Sequence, residues 1–338
     1  MGYPCLFADR PHALASAADV TEPVAITDPA LIERLMLPND AFLDTFRGLI
    51  AHFPAREWTE EAFERGLRYP WYRPERSYLL QDGEAHLLHE LDPARRADVL
   101  ARHVGPAGGR VPLLAIGSNA APKNLAIKLA HHDEPDDREV LVLAGELQEV
   151  DVVAAAAVAV YGAMPATLAP SPGVAARAAV LLVTATQLTT LTWGEISYRL
   201  GRLEGAPFVV EDGFDGLELD APLAFVSRWG AFAPDGEPVA LAAIPAHGRT
   251  FRAWTQRELV DRAAEIVLGR ADAEELTRAL FASTGELAPR AVAELRAHAQ
   301  PFEFAGWRPM APDGTLARRR SAGDRRGRLG DVDRGPER

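Results

Sequence analysis

Four short apolar runs between Val111 and Val183 constrain this chain more than any other feature. Val111 to Ile116, Glu139 to Gly145, Val150 to Tyr161 and Ala178 to Val183 are rich in Val, Leu and Ala and are separated by turn or charged residues. Segments this short, without the three- and four-residue stripe of an amphipathic helix, read as buried strands. The longest apolar stretch, Val152 to Tyr161, is about half of what a membrane-spanning helix needs, so no membrane span is expected. A buried sheet needs cover, and 338 residues at 48% hydrophobic are enough to supply it.

The cover comes from both flanks. Residues 1–106 read as helices joined by proline-marked turns, with N-cap candidates at Asp28-Pro29, Asp40 and Asp92-Pro93. Phe42, Leu43, Phe46, Leu49, Ile50 and Phe53 form one apolar stripe. The segment Tyr69-Pro70-Trp71-Tyr72-Arg73-Pro74-Glu75-Arg76 either lines a groove or covers a core edge, and cover is the expectation. The turn cluster Gly105-Pro106-Ala107-Gly108-Gly109 marks a boundary, after which residues 107–250 form a β-rich domain. Within it, Phe225 to Phe232 and Pro238 to Ile244 read as a hairpin about Asp235-Gly236. In residues 251–311 helices return: a capping box at Thr255 and Glu258 with Gly269 as stop, a second start at Asp272 with Glu275 ending at Gly285, and a third at Ala288-Pro289. From Pro312 to Arg338 apolar residues are few, and a disordered basic tail is expected.

Charge narrows the partners. The chain carries 36 Lys and Arg against 48 Asp and Glu, a net −12, although Arg318 to Arg338 alone hold eight Arg. The remainder is near −16 and would repel a phosphate backbone, so no nucleic-acid partner is expected. The single cysteine, Cys5, cannot form an internal bridge, no signal-peptide pattern precedes it, and Leu6 stands where a myristoylation signal needs Ser or Thr. A cytoplasmic setting follows. His131-His132-Asp133-Glu134 lacks metal-ligand spacing and reads as a solvated acidic loop, so no metal is expected. No phosphate-binding glycine motif is present.

The chemistry-bearing residues lie at two turns. Leu113-Leu114-Ala115-Ile116-Gly117-Ser118-Asn119 is a strand running into small and polar residues, where glycine allows a ligand close to the backbone and successive N–H groups can form a nest. Downstream, Thr184-Ala185-Thr186-Gln187 opens a short helix by a capping box, with Leu191-Thr192-Trp193-Gly194-Glu195 at its end and Tyr198 beyond.

This order resembles the gamma-glutamylcyclotransferase-like superfamily over about residues 111–210. Its members open with a strand ending Tyr-Gly-Ser followed by Asn or Leu, and later carry a helix ending Leu-Asp and a catalytic Glu. Ile116 replaces the Tyr here and Thr192 the Asp. The resemblance implies an α+β fold: a small mixed β-barrel, with N-terminal and C-terminal helical additions in this chain. It also implies acyl-transfer or lyase chemistry in which the α-amine of a γ-glutamyl amine or peptide attacks its own γ-carbonyl, giving 5-oxoproline and a free amine. The attack is intramolecular, so no cofactor is implied. Glu195 is then the general acid/base, and Ile116, Gly117, Ser118, Asn119 and Tyr198 surround the substrate. The alternative is a non-catalytic domain of the same fold that binds a small ligand or a partner, which the departures at Ile116 and Thr192 favour. The sequence names neither the amine nor an oligomeric state.

Overall fold

The computed structural model describes residues 24–51, 54–104, 110–211, 218–219 and 221–316. Readings that rest on Met1-Gly2, Cys5, the 105–109 turn cluster and the Arg-rich segment from Arg318 lie outside these residues.

The strands are β1 Tyr78–Gln81, β2 Glu84–Leu87, β3 Val111–Ala115, β4 Val140–Ala154, β5 Ala166–Val183, β6 Tyr198–Leu203, β7 Phe208–Val210, β8 Glu218–Leu219, β9 Leu223–Ser227, β10 Ala231–Phe232, β11 Ala240–Leu241, β12 Ala246–His247, β13 Ala253–Trp254, β14 Ala299–Gln300 and β15 Trp307–Pro309. Thirteen of them form one sheet, whose main path runs β13-β11-β4-β5-β3-β9-β6-β15. Pairing is antiparallel except between β3 and β9 and between β11 and β13. The fold is mixed α+β with a large, mostly antiparallel sheet, and the pairings among the described residues trace an open path with no closed barrel.

Two expected strands prove to be one. Val140 to Gly145 and Val150 to Ala154 merge into β4, which pairs with β5 from Leu141 and Leu182 to Ala154 and Ala166, whereas Ala155 to Tyr161, expected to continue the strand, lie beyond its end. The break between them is a bulge at Glu149, whose φ is +68°. Opposite it lies Pro170-Ser171-Pro172-Gly173, which has the composition of a turn yet sits inside β5, with Gly173 at φ +78°. A bulge tolerates prolines and a left-handed glycine because the ladder is already interrupted there.

The continuous apolar character of these runs is explained by burial on both faces. Leu141, Leu143, Val180 and Leu182 pack in the same core as Leu259, Val260, Leu276, Leu280 and Leu295. These come from α8 Gln256–Leu268, α9 Ala273–Ala282 and α10 Thr284–Leu295, the last α-helices among the described residues. The alternate residues, Leu113, Val142, Leu181 and Val183, pack with Leu31, Leu35, Leu125, Leu129, Leu188 and Leu191. Those belong to α1 Pro29–Met36, α5 Pro122–Leu129 and α7 Ala185–Gly194. The remaining helices are α2 Asn39–Ile50, α3 Glu60–Leu67, α4 Pro93–Val104 and the short α6 Pro135–Arg138.

Capping signals locate most of these helices. Asp28 accepts from the Ala30 and Leu31 amides, and both capping boxes, at Thr184 with Gln187 and at Thr255 with Glu258, are formed. Gly269 closes α8 in the left-handed region at φ +77°. The α1 C-terminus is met by two guanidiniums: Arg199 donates to the Leu35 and Leu37 carbonyls, and Arg228 to those of Arg34, Leu35 and Leu37. Cations there offset the negative end of the helix dipole. Arg228 also lies 3.7 Å over the ring of Phe42, which fixes α2 against β9.

Four readings are corrected. The N-terminal region is not wholly helical, because β1 pairs with β4 and carries β2 into the sheet. The expected 225–244 hairpin is not a ladder: Gly236 has the positive φ its Asp-Gly turn needs, but β10 pairs with β14 and β11 with β4 and β13. α9 ends at Ala282, short of Gly285, and α10 starts at Thr284, not Ala288, with Pro289 inside its second turn. The expectation of disorder from Pro312 fails for its first residues, where Thr315 bridges Ala25 and Leu316 is 1% exposed.

Leu316 belongs to the same core as Leu31 and Leu35. Leu316→Ala in the full chain is expected to destabilise by about 2–5 kcal/mol, the cost of emptying a buried leucine site. Equilibrium denaturant unfolding measures it, and a change inside about 0.5 kcal/mol would show that the segment does not contribute to the fold.

Candidate functional site

The strand order brings the two sequence turns together. β3 ends at Ala115, and the chain passes through Ile116 and Gly117 into a single helical turn, Ser118–Ala120. β3 runs parallel to β9 at Leu113 and Leu223, and β9 pairs with β6, which starts at Tyr198 opposite Ser227. The end of α7 and the end of β3 therefore open on one space. It is a cavity of about 590 Å³ lined by Ile116, Gly117, Ser118, Asn119, Glu195 and Tyr198, together with residues from distant segments.

Glu195 is the C-cap of α7, its N–H bonded to the Thr192 carbonyl. The capping box fixes the other end of this helix, where the fully buried Gln187 also donates to the Glu139 carbonyl at 3.0 Å. Thr192, at the position of the family's Asp, is fully buried and donates back to the Leu188 carbonyl at 2.6 Å. Its hydroxyl is spent within α7.

The Glu195 carboxylate forms a three-member polar cluster. Oε1 accepts from Asn119 Nδ2 at 3.1 Å and from Lys128 Nζ at 3.0 Å, and Lys128 Nζ also donates to Asn119 Oδ1 at 2.7 Å. The Glu195 side chain is 16% exposed and that of Lys128 22%, so the pair sits at the edge of solvent. Asn124 donates to the Ser118 carbonyl at 3.1 Å, which braces the turn from α5.

Two tyrosines hold the opposite side by gripping one residue. Tyr69 Oη accepts from the Ala166 N–H at 2.9 Å, and Tyr198 Oη donates to the Ala166 carbonyl at 2.9 Å. Tyr69, Tyr161 and Tyr198 all have pKa values pushed above the ordinary phenol range, first by burial and also by the charge of Glu195. They are neutral hydroxyls throughout the physiological range. Tyr161 stacks on Tyr69 at 6.0 Å between centroids and contacts Trp71 at 5.2 Å. The indole of Trp193, also in the lining, donates to Asp28 at 2.9 Å, a bond that holds the Asp28 carboxyl below its usual range and ties the α1 cap to the cavity.

The reason for glycine at 117 differs from the expected one. Its φ is −123°, so no left-handed conformation demands it. A Cβ there would lie 2.3 Å from Tyr69 Oη. The close approach is thus to a tyrosine hydroxyl.

Tyr69 and Trp71 correct another expectation: the aromatic, proline-rich segment lines the cavity as well as covering core. Lys128 and Tyr161 carry no sequence motif, and only their pairing partners reveal them. His132, in the acidic loop, lies 3.0 Å from Thr190 Oγ1, away from the cavity. Among the described residues no group of three or more His, Cys, Asp or Glu could hold a metal ion, and no helix is long and apolar enough to cross a membrane. Comparison with protein-family models, with curated proteins and with solved structures returns no match for this chain.

Gly117→Ala is expected to push Tyr69 Oη off the Ala166 amide and to cost about 1–3 kcal/mol, the usual penalty for stranding buried polar groups. In a Tyr69→Phe background the other nearest atoms are at 3.4 Å, so the same change should cost little. Denaturant unfolding of the two single variants and the double variant measures the coupling. Additivity within about 0.5 kcal/mol would mean that the hydroxyl does not dictate the glycine.

Proposed function

We propose that this cavity cyclises a γ-glutamyl amine or peptide to 5-oxoproline and releases the amine. The observation that supports the reading is the contact of Glu195 with Asn119, which joins the two halves of the family resemblance, 76 residues apart, in one cavity. The family's small mixed β-barrel with helical additions is the finer form of the observed α+β fold that this proposal entails. A cytoplasmic setting, consistent with a single cysteine, belongs to it as well.

The residues divide the work as follows. Among the described residues both hydrogen bonds to Glu195 go to Oε1, which leaves Oε2 to accept from the substrate's α-ammonium. Lys128 has three N–H donors, of which two are spent on Glu195 and Asn119, so one remains for the substrate α-carboxylate. These two contacts fold the γ-glutamyl chain so that its amine faces its own carbonyl, and this positioning supplies much of the acceleration. Glu195 takes the ammonium proton and the free amine adds to the γ-carbonyl carbon. The N–H groups of Gly117 and Asn119 meet the charge that develops on oxygen. The C–N bond to the leaving amine then breaks as Glu195 returns its proton to that nitrogen, and the ring nitrogen, which still carries two hydrogens, gives up its second proton through the same carboxylate to the departing amine, which leaves as an ammonium. One bond forms, one breaks, and the carboxylate is regenerated.

The second reading, a non-catalytic ligand-binding domain, draws on the Lys128 to Glu195 ion pair, which already meets the carboxylate's charge. One experiment separates the two. Purified protein is incubated with a panel of γ-glutamyl amines and peptides and 5-oxoproline is followed by mass spectrometry. The expectation is turnover by the wild type and a loss on the order of 10²-fold or more for Glu195→Gln, with ligand affinity retained. Equal turnover by both proteins would assign proton transfer to another residue, and ligand binding without 5-oxoproline would favour the non-catalytic reading.

A further inference from the structure

The cavity is chemically lopsided. Among the described residues that line it, only Lys128 and Glu195 carry charge, and they are paired with each other. Around them cluster the polar groups Ser118, Asn119 and Asn124. Apart from Ser197 and Ser227, the remaining wall is aromatic and aliphatic, with Phe46, Trp71, Val160, Tyr161, Trp229 and Val292 prominent in it. Phe46, Trp71 and Tyr161 are only half-buried, so these rings still have unfilled surface. Phe46 and Trp229 both pack on Phe42, at centroid distances of 6.2 and 5.8 Å, which holds them rigidly in place.

Several guanidiniums approach lining residues without themselves lining the cavity: Arg34, Arg65 and Arg296 lie over the rings of Trp193, Trp71 and Trp229 at 4.8, 5.6 and 5.6 Å, and Arg73 and Arg56 meet backbone carbonyls. Arg73 donates to the Ile116 carbonyl at 3.3 Å while facing the separate groove that holds Arg177 and Glu211. Arg56 donates to the Val160 carbonyl and stacks on Phe281 at 4.2 Å. Neither is among the residues that line the cavity. Nor can the tyrosines stand in as charged partners: their hydroxyls are neutral, and those of Tyr69 and Tyr198 are both committed to Ala166.

A γ-glutamyl compound brings an α-ammonium and an α-carboxylate, and these use up Glu195 and the remaining donor of Lys128. A second carboxylate, on the amine half, would have to be desolvated against aromatic carbon with no cation among the described lining residues to receive it, which is strongly unfavourable. An aromatic ring in the same place would bury apolar area against Phe46, Trp71 and Trp229, which is favourable. We infer that the amine released is aromatic or branched aliphatic and carries no carboxylate, so that γ-glutamyl arylalkylamides, and not γ-glutamyl amino acids, are the substrates. This rests on the cyclisation proposed above and specifies its substrate class.

The test compares γ-glutamylphenethylamide, γ-glutamylisopentylamide and γ-glutamylglycine as substrates of the full-length protein, with 5-oxoproline release as the readout. Both apolar amides are expected to exceed γ-glutamylglycine in kcat/KM by 10²-fold or more. Phe46→Arg, which sets a guanidinium on the apolar wall, is expected to shift that ratio at least 10-fold toward γ-glutamylglycine, whereas a merely structural lesion would lower all three alike. Comparable kcat/KM for glycine and phenethylamine derivatives in the wild type would overturn the inference and leave the cyclisation standing. Release from none of the three would overturn the cyclisation itself, and the inference with it.

Discussion

The antiparallel ladder between β4 and β5 decides where everything else can sit. Side chains alternate along both strands, so Val180 and Leu182 face one set of helices while Leu181 and Val183 face another. A slip by one residue would exchange these sets and place every side chain against the wrong partners, which makes the register hard to alter. The irregularity at Glu149 accommodates the unpaired residues Ser171 to Val174 and lets the pairing continue to Ala154 and Ala166. That last pair matters for the cavity, because Ala166 presents its N–H and carbonyl to Tyr69 and Tyr198.

The ladder also explains which features could be read before any coordinates. Strands buried on both faces leave an unbroken apolar signature, and helix caps act within three or four residues, so Thr184, Thr255, Asp28 and Gly269 declared themselves locally. Pro170-Ser171-Pro172-Gly173 misled because a bulge and a turn call for the same residues, and only the partner strand distinguishes them. The 225–244 hairpin misled for a related reason: its turn is real, but its arms find better partners in β14 and in β4 with β13.

In the cavity the division is similar. Gly117, Asn119 and Glu195 were legible from the order of their motifs. Lys128 was not, since a lysine on a short helix has the same signature whether it is solvated or pairs with a glutamate 67 residues on. Tyr69 was placed as core cover because buried aromatic residues serve both purposes, and its bond to Ala166 spans 97 residues. The reason for glycine at 117 lay in that same tyrosine, so no inspection of residues 113–119 alone could have reached it.

The origin of the apolar wall has a practical consequence. Phe46 and Trp71 come from the N-terminal third of the chain, and Trp229 and Val292 from beyond β9, whereas the residues that resemble a known family all fall within 111–210. Excising that segment as a minimal domain would retain Glu195 and the glycine turn but remove these four residues of the apolar wall. On the proposed function, catalytic apparatus and selectivity are encoded in different stretches of the gene, and recombination or drift in the flanks would change what is accepted without touching a reacting residue.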